Sequence, residues 1–379
     1  MTLTGQKIRL SKSFVGSKEA EAAARVVREG YLGMGKEVEL FERELADFIG
    51  GNRSVVCVST GTAALHLAAQ ACGLGPGDEV LIPTITYVAS FQAVSATGAT
   101  PVACDVRGTD CSLDVADAAK RITKHTKAVM PVYYASSPGG LVETYALANQ
   151  YGLRVIEDAA HAFGCGSGQS RTGSLGDIVC FSFDGIKNIT SGEGGAVVTS
   201  DERVADYVRD ARLLGVEKDT NKRYSGQRSW EFDVAHQGWR YHMSNVFAAI
   251  GRVQLSRFQQ ELAPKRIELA RLYQQLLAGV DEITTLDVEY GIIVPHIFPI
   301  LVSRGNRDIL RQLLLDADIE CGIHYKPNHL LSYFGGGQIA LPQAEAMYQQ
   351  LLTLPLHPDL DADDVHYIVS AVRNGLRSR

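Results

Sequence analysis

Cys180-Phe181-Ser182-Phe183-Asp184-Gly185-Ile186-Lys187-Asn188 is an apolar strand pattern that runs out at Phe183 and delivers Lys187 in the turn beyond it. Ser191-Gly192-Glu193-Gly194-Gly195 follows, a glycine-rich turn that feeds another apolar run. A lone lysine after a strand is usually a surface residue. Held between an aromatic strand end and a glycine-rich turn, it suits a confined site where an amine can act as a nucleophile. Val155-Ile156-Glu157-Asp158-Ala159-Ala160-His161 is a second strand end, closed by two carboxylates. Alone, Asp158 would read as a helix cap or an ion-pair partner. Ser59-Thr60-Gly61-Thr62-Ala63-Ala64-Leu65-His66 follows a strand and opens a helix. The first amides of a helix lack internal partners and favour anions, and Thr60 and Thr62 add hydroxyls. Pro83-Thr84-Ile85-Thr86-Tyr87-Val88-Ala89-Ser90 carries Tyr87 past a further strand, a ring able to pack or to stack on a flat ligand. Each of these signals is weak alone. Together they supply an amine for a Schiff base (Lys187), a carboxylate for a pyridine nitrogen (Asp158), a phosphate cup (Thr60–Thr62 with Ser182) and a flat surface (Tyr87). Those are the requirements of pyridoxal phosphate.

These residues need a scaffold that gathers strand ends. Seven short apolar runs provide it: Val55–Val58, Val80–Ile82, Thr100–Ala103, Ala128–Val132, Arg154–Glu157, Ile178–Ser182 and Ala196–Thr199. Helical patterns lie between several of them, such as Thr62–Cys72 with Leu65, Ala68 and Ala71 on one side. Buried strands alternating with helices predict an α/β domain on a mostly parallel sheet, whose ligands gather at the carboxyl ends of the strands. The polar segment Val216–Arg228 is expected to be a solvated loop. A long helix is expected from Asn245 to about Lys265, with Ala248, Ala249, Val253, Leu255 and Leu262 on its apolar face. It would link a large domain, residues 1–245, to a smaller C-terminal α/β domain within residues 246–379.

The bulk properties agree with a soluble enzyme. The 379 residues suit two domains, with 45% hydrophobic and 21% charged residues. The net charge of -6 and the lack of a basic stripe argue against nucleic acid as a partner. Seven scattered cysteines without a CxxC pair argue against a disulfide framework or a structural zinc, and they read as small buried apolar residues. No signal-peptide core and no run of about 20 apolar residues is present, so the expected location is the cytoplasm, off the membrane.

With those residues in view, the chain resembles the DegT/DnrJ/EryC1/StrS aminotransferases, fold-type I pyridoxal-phosphate enzymes acting on nucleotide sugars. The resemblance runs from Ile8-Arg9-Leu10-Ser11 to Leu354-Pro355-Leu356-His357-Pro358, and its most specific blocks are Glu157–Gly164, Gly173–Ser182, Lys187–Gly195 and Met243–Leu255. It implies roles residue by residue. Lys187 would bind the cofactor covalently and shuttle the substrate proton, and Asp158 would pair with the pyridine nitrogen. Tyr87 would stack on the ring. Gly61, Thr62 and Ser182 would hold the phosphate, and His161 would contact the phenolic oxygen where the family often has Gln. A homodimer is implied, with a neighbouring subunit completing each site.

The chain departs from the family in places. Gly238-Trp239-Arg240-Tyr241-His242-Met243 carries Arg240 where the family has the Asn that reaches the partner's cofactor phosphate. Arg240 is well suited to a phosphate, whether that one or the sugar-nucleotide diphosphate. Tyr31-Leu32-Gly33-Met34-Gly35 puts Met34 where a hydroxyl is expected near the substrate. His324 and Tyr325 match a small-domain motif that can face the sugar. A branch of the family that dehydrates sugars has histidine at the cofactor lysine, so Lys187 favours transamination. The reaction implied is ping-pong transfer from L-glutamate to a nucleotide-linked keto-6-deoxy-sugar, in amino-sugar biosynthesis. The Met243-Ser244-Asn245 stretch favours the 4-keto position. The alternatives are a 3-keto-sugar aminotransferase, a dehydratase or lyase of the same family, and a non-catalytic regulatory relative.

Overall fold

Strand runs rich in valine, isoleucine and small apolar residues become seven strands in the computed structural model, which describes residues 7–166 and 170–377. They are β1 (Ser54–Val58), β2 (Glu79–Pro83), β3 (Thr100–Cys104), β4 (Thr126–Val129), β5 (Arg154–Asp158), β6 (Ile178–Ser182) and β7 (Gly195–Thr199). They form one sheet in the order β1-β7-β6-β5-β4-β2-β3. Only β7 runs against its neighbours, and the other adjacent pairs are parallel.

Side chains alternate across this sheet with the period of two that a strand dictates. In β1, Val55 and Cys57 join the core that contains Phe41 and Leu45, while Val56 and Val58 join the core that contains Ala64 and Leu67. Helix Lys36–Ile49 supplies the first of these layers, and helices Gly61–Ala71, Ala89–Ser95 and Glu202–Ala211 the second. Both faces are therefore covered, which is why β6 and β7 are buried at every position.

A smaller antiparallel sheet, β8 (Ile283–Thr285), β9 (Phe298–Val302) and β10 (Leu351–Leu354), carries the C-terminal residues in the order β10-β9-β8. Helices Ala263–Leu277, Arg307–Asp316 and Ala362–Arg377 pack with it, and Tyr273 stacks on Phe298 at 4.7 Å. The N-terminal segment joins this part, because Ile8 bridges Ile319 and the Leu356 amide donates to the Leu10 carbonyl. All seven cysteines are free and six are buried. Among the described residues no helix is long and apolar enough to cross a membrane.

Two local expectations need correction. Val216–Arg228 is not simply a solvated loop, because Asp219–Tyr224 forms a helix with Asp219 and Thr220 buried. Asp219 takes a 2.6 Å ion pair from Arg223 one turn on, and the Tyr224 hydroxyl meets Glu42 and the buried Arg212. The linking helix does not stop near Lys265. It runs Asn245–Arg257, widens into a π turn at Phe258–Leu262, and continues as Ala263–Leu277. Pro264 has no amide to bond one turn back, and the wide turn accommodates that loss.

Candidate active site

The carboxyl ends of β1, β2, β5 and β6 surround a cavity of about 430 Å³, closed from the other side by His296, His324 and Tyr325. Its floor depends on close backbone approach. A Cβ on Gly61 would sit 2.7 Å from Ser182 Cβ, and one on Gly195 would sit 2.4 Å from the Thr60 carbonyl oxygen. Glycine at both positions lets the turn after β1 press against the end of β6. The Thr60 hydroxyl caps the helix by accepting from the Ala63 amide at 3.0 Å. Gly61, Thr62 and Ser182 line the cavity beside it, so hydroxyls and first-turn amides converge where an anion is favoured.

Asp158 closes β5 and is buried. Its Oδ2 accepts from Ser90 Oγ at 2.6 Å and its Oδ1 from the Ala160 amide at 3.2 Å. Thr86 Oγ1 lies 2.8 Å from Ser90 Oγ and steadies that hydroxyl. Burial pushes the carboxyl pKa up, while these donors and Lys187 oppose the shift. Lys187 follows β6 in a turn closed by its own amide donating to the Asp184 carbonyl at 3.0 Å. Burial of its ammonium lowers its pKa to about 8, with Asp158 and Asp184 opposing and Arg266 assisting. The lowered pKa brings the neutral amine, the nucleophile and base, closer to neutral pH.

The opposite wall is aromatic. Tyr325 Oη lies 3.1 Å from His161 Nε2, and the exposed Tyr87 ring lies 5.7 Å from the Tyr325 ring at the mouth. His324 is anchored by a 2.9 Å contact of Nδ1 with Thr353 Oγ1, and its carbonyl accepts from Tyr134 Oη. Burial, then Lys187 and His324, holds the His161 imidazole well below its usual pKa. His324 is lowered to about 4, by burial first and Lys187 second.

Ten of the residues singled out from the sequence thus share one cavity: Thr60, Gly61, Thr62, Tyr87, Asp158, His161, Ser182, Lys187, His324 and Tyr325. Two do not. Met34 is 2% exposed and packs in the core with Phe41 rather than lining the cavity, because it leads into a helix whose apolar face turns inward. Arg240 is exposed and outside the cavity of its own chain. Its backbone is fixed between Leu213 and the end of β1, with the Tyr241 amide on the Arg212 carbonyl and the Ser59 amide on the Tyr241 carbonyl. Sequence reasoning missed His296, whose Nε2 lies 3.4 Å from Lys187 Nζ, and Ser90, which holds Asp158. Ser90 sits in the helical pattern after Tyr87, and His296 in an apolar run with no motif around it.

Pyridoxal phosphate fits these residues. The cup has anion donors, the buried carboxylate has unused lone pairs, and the His161 Nδ1 is buried without a hydrogen-bond partner among the described residues.

Known proteins agree with this geometry. The pattern of the DegT/DnrJ/EryC1/StrS aminotransferase family matches residues 14–373. The spore coat polysaccharide biosynthesis protein SpsC of Bacillus subtilis (strain 168) is 34% identical over 374 residues, covering 96% of each chain. The aminotransferase TlmJ from Streptoalloteichus hindustanus superposes with a TM-score of 0.89 at 32% identity, covering 98% of this chain and 99% of its own. Spr1654 of Streptococcus pneumoniae, assigned as a sugar aminotransferase and solved in its PLP-form, gives 0.90 at 26% identity, covering 98% of this chain and 99% of its own. Matched along nearly its whole length, the chain belongs to the DegT/DnrJ/EryC1/StrS family, a fold-type I, pyridoxal-phosphate-dependent sugar aminotransferase.

Proposed function

We propose that this enzyme moves an amino group from L-glutamate to the 4-keto position of a nucleotide-linked keto-6-deoxy-sugar, at a site completed by a second copy of the chain. The observation that carries the reading is the meeting of Lys187 and Asp158 in one cavity beside the cup of Gly61, Thr62 and Ser182. Bound there, pyridoxal phosphate supplies an electron sink for the carbon that gives up its proton.

The chain's own residues do the rest. Lys187 Nζ is the covalent anchor. As a free amine it would take the α-proton of glutamate and hand it on to the cofactor, and in the second half it would carry a proton from the cofactor back to the sugar carbon that receives nitrogen. Asp158 holds the ring nitrogen in its protonated form, and Ser90 and the Ala160 amide hold Asp158. Neutral His161 hydrogen-bonds the phenolic oxygen without adding charge. Gly61, Thr62 and Ser182 hold the phosphate, and Arg240, exposed on a fixed backbone, reaches an anionic group at the second copy's cavity. Tyr87 stacks on the ring, and His324 and Tyr325 face the sugar.

SpsC takes part in spore coat polysaccharide biosynthesis, and a similar destination, an amino sugar for a polysaccharide, suits this chain. The 4-keto position rests on the Met243-Ser244-Asn245 stretch at the head of the linking helix. The test is the visible absorption of the purified holoenzyme. L-glutamate should bleach the yellow band, and a nucleotide-linked 4-keto-sugar should restore it. A band indifferent to glutamate would refute the donor, and restoration by 3-keto-sugars alone would refute the position.

A further inference from the structure

His296 enters the cavity from the segment before β9, 109 residues along the chain from Lys187, and brings Nε2 to 3.4 Å from Lys187 Nζ. Its backbone is held on both sides. The amide donates to Ser136 Oγ at 3.1 Å, and the carbonyl accepts from the buried Arg266 Nη1 at 3.2 Å. Ser136 Oγ in turn donates to the His161 carbonyl. The His296 ring packs against the His161 ring, 4.5 Å between centroids at 49°. His296 Nδ1 is buried with no hydrogen-bond partner among the described residues. A buried imidazole fixed in this way has Lys187 as its polar neighbour.

The groups around Lys187 come from every element packed on it: Asp158 at the end of β5, Asp184 in its own turn, Arg266 from helix Ala263–Leu277, and the imidazoles of His161, His296 and His324. Burial keeps the three imidazoles neutral near pH 7. A neutral imidazole nitrogen presents either a lone pair or an N–H, according to tautomer. It can therefore face both an ammonium and a free amine without repelling either.

We propose that His296 is the positioning residue for Lys187: its Nε2 accepts one N–H of the lysine ammonium formed when Lys187 takes the substrate proton, and so keeps Nζ aimed at the cavity for the proton's return. The proton moves only between Lys187 Nζ and the reacting carbons, and the imidazole stays neutral throughout. The inference rests on Lys187 being the base of the reaction.

The first test uses the apo-protein labelled with ¹⁵N-histidine. The His296 Nε2 resonance should step at the titration midpoint of Lys187, and the step should vanish in Lys187→Ala. No step in the unaltered protein, or the same step in Lys187→Ala, would overturn the proposal. This readout is independent of turnover. If Lys187→Ala kept full activity, the proposed function would fail while the contact could still be scored.

The second test compares His296→Phe with His296→Gln. Phenylalanine fills the space without an acceptor, so kcat should fall about 10- to 100-fold, the scale of losing one hydrogen bond to a charged group. KM for glutamate should change by less than about threefold, since the contact is made to the base rather than to bound substrate. The pH midpoint for cofactor capture by the apo-protein should also move down, because the ammonium has lost its acceptor. Glutamine, whose amide oxygen accepts, should recover most of both effects. Equal losses in the two variants, or full kcat in His296→Phe, would show that the ring only fills space.

Discussion

The two walls of the cavity are built on different backbone. Asp158 and Ser182 are the last residues of β5 and β6, and Thr60 and Gly61 follow β1 after Ser59. Hydrogen bonds from Ser90 and Ala160, and contacts that tolerate no Cβ at Gly61, fix that wall to the sheet. His324 and Tyr325 come instead from the loop that follows the helix Arg307–Asp316, and they are tied down through Thr353, Tyr134 and His161. A group of constant shape is best met by rigid strand ends, whereas loops can vary with the substrate. Under the proposed function the sheet wall serves the cofactor and the loop wall serves the sugar.

The largest effects should come from the sheet wall. Lys187→Ala should cost at least about 10⁴-fold in turnover, the scale for removing a covalent and acid–base group. Stopped-flow absorbance with L-glutamate should show no first half-reaction. Asp158→Asn, which keeps the shape but not the charge, should cost roughly 10²–10³-fold in kcat, the scale for losing a preorganised electrostatic partner. Both half-reactions should slow together. A loss confined to the sugar half would break the division between the walls.

The sheet wall was also the part legible in sequence. All seven strands follow apolar runs, and Lys187, Asp158 and the Thr60–Thr62 turn stand where those runs end. Strand termini announce themselves because burial on both faces demands an unbroken apolar run, and the first polar residue marks its end. His296 gave no such mark, since a histidine inside the apolar stretch Ile293–Ile300 reads as packing until the fold brings it to Lys187. Ser90 was hidden in a short helix, and Asp219–Tyr224 in a run of charge whose ion pair forms only in the helix. Met34 misled in the other direction, because a resemblance locates a residue along the chain but not the side to which it points.

Arg240 sharpens the comparison, because it stands apart from both walls of its own cavity. Arg240→Ala should lower kcat/KM by about tenfold through loss of an anion contact. Hybrids made by refolding Arg240→Ala with Lys187→Ala should regain activity, because one of their two sites then carries neither change. Hybrids no more active than the Arg240→Ala parent would place Arg240 in service of its own chain.

A smaller effect separates function from stability within the sheet wall. Lys187 has a folded pKa of about 8, lowered from 10.5 chiefly by burial. The unfolded apo-chain therefore binds more protons than the folded one between those values, and apo stability gains from this group as pH rises through the window. Below pH 8 the buried ammonium carries its full cost. Lys187→Met should raise the apo melting temperature by about 3 °C at pH 7, with the difference fading toward pH 10.5. An unchanged or lower melting temperature at pH 7 would mean the ammonium is better paired than its surroundings indicate.

The smallest expected effect tests the loop wall directly. Tyr325 Oη bonds His161 Nε2 at 3.1 Å, and His161 Nδ1 already lacks a partner. Tyr325→Phe keeps the ring against Tyr87 but removes the hydroxyl that could reach a sugar oxygen. KM for the keto-sugar should rise about three- to tenfold, the value of one neutral hydrogen bond, while the glutamate half-reaction changes by less than about twofold. Single-turnover rates for each half read the two separately. If both halves slowed alike, the hydroxyl would be acting through His161 on the cofactor, and the boundary between the walls would have to be drawn on the far side of Tyr325.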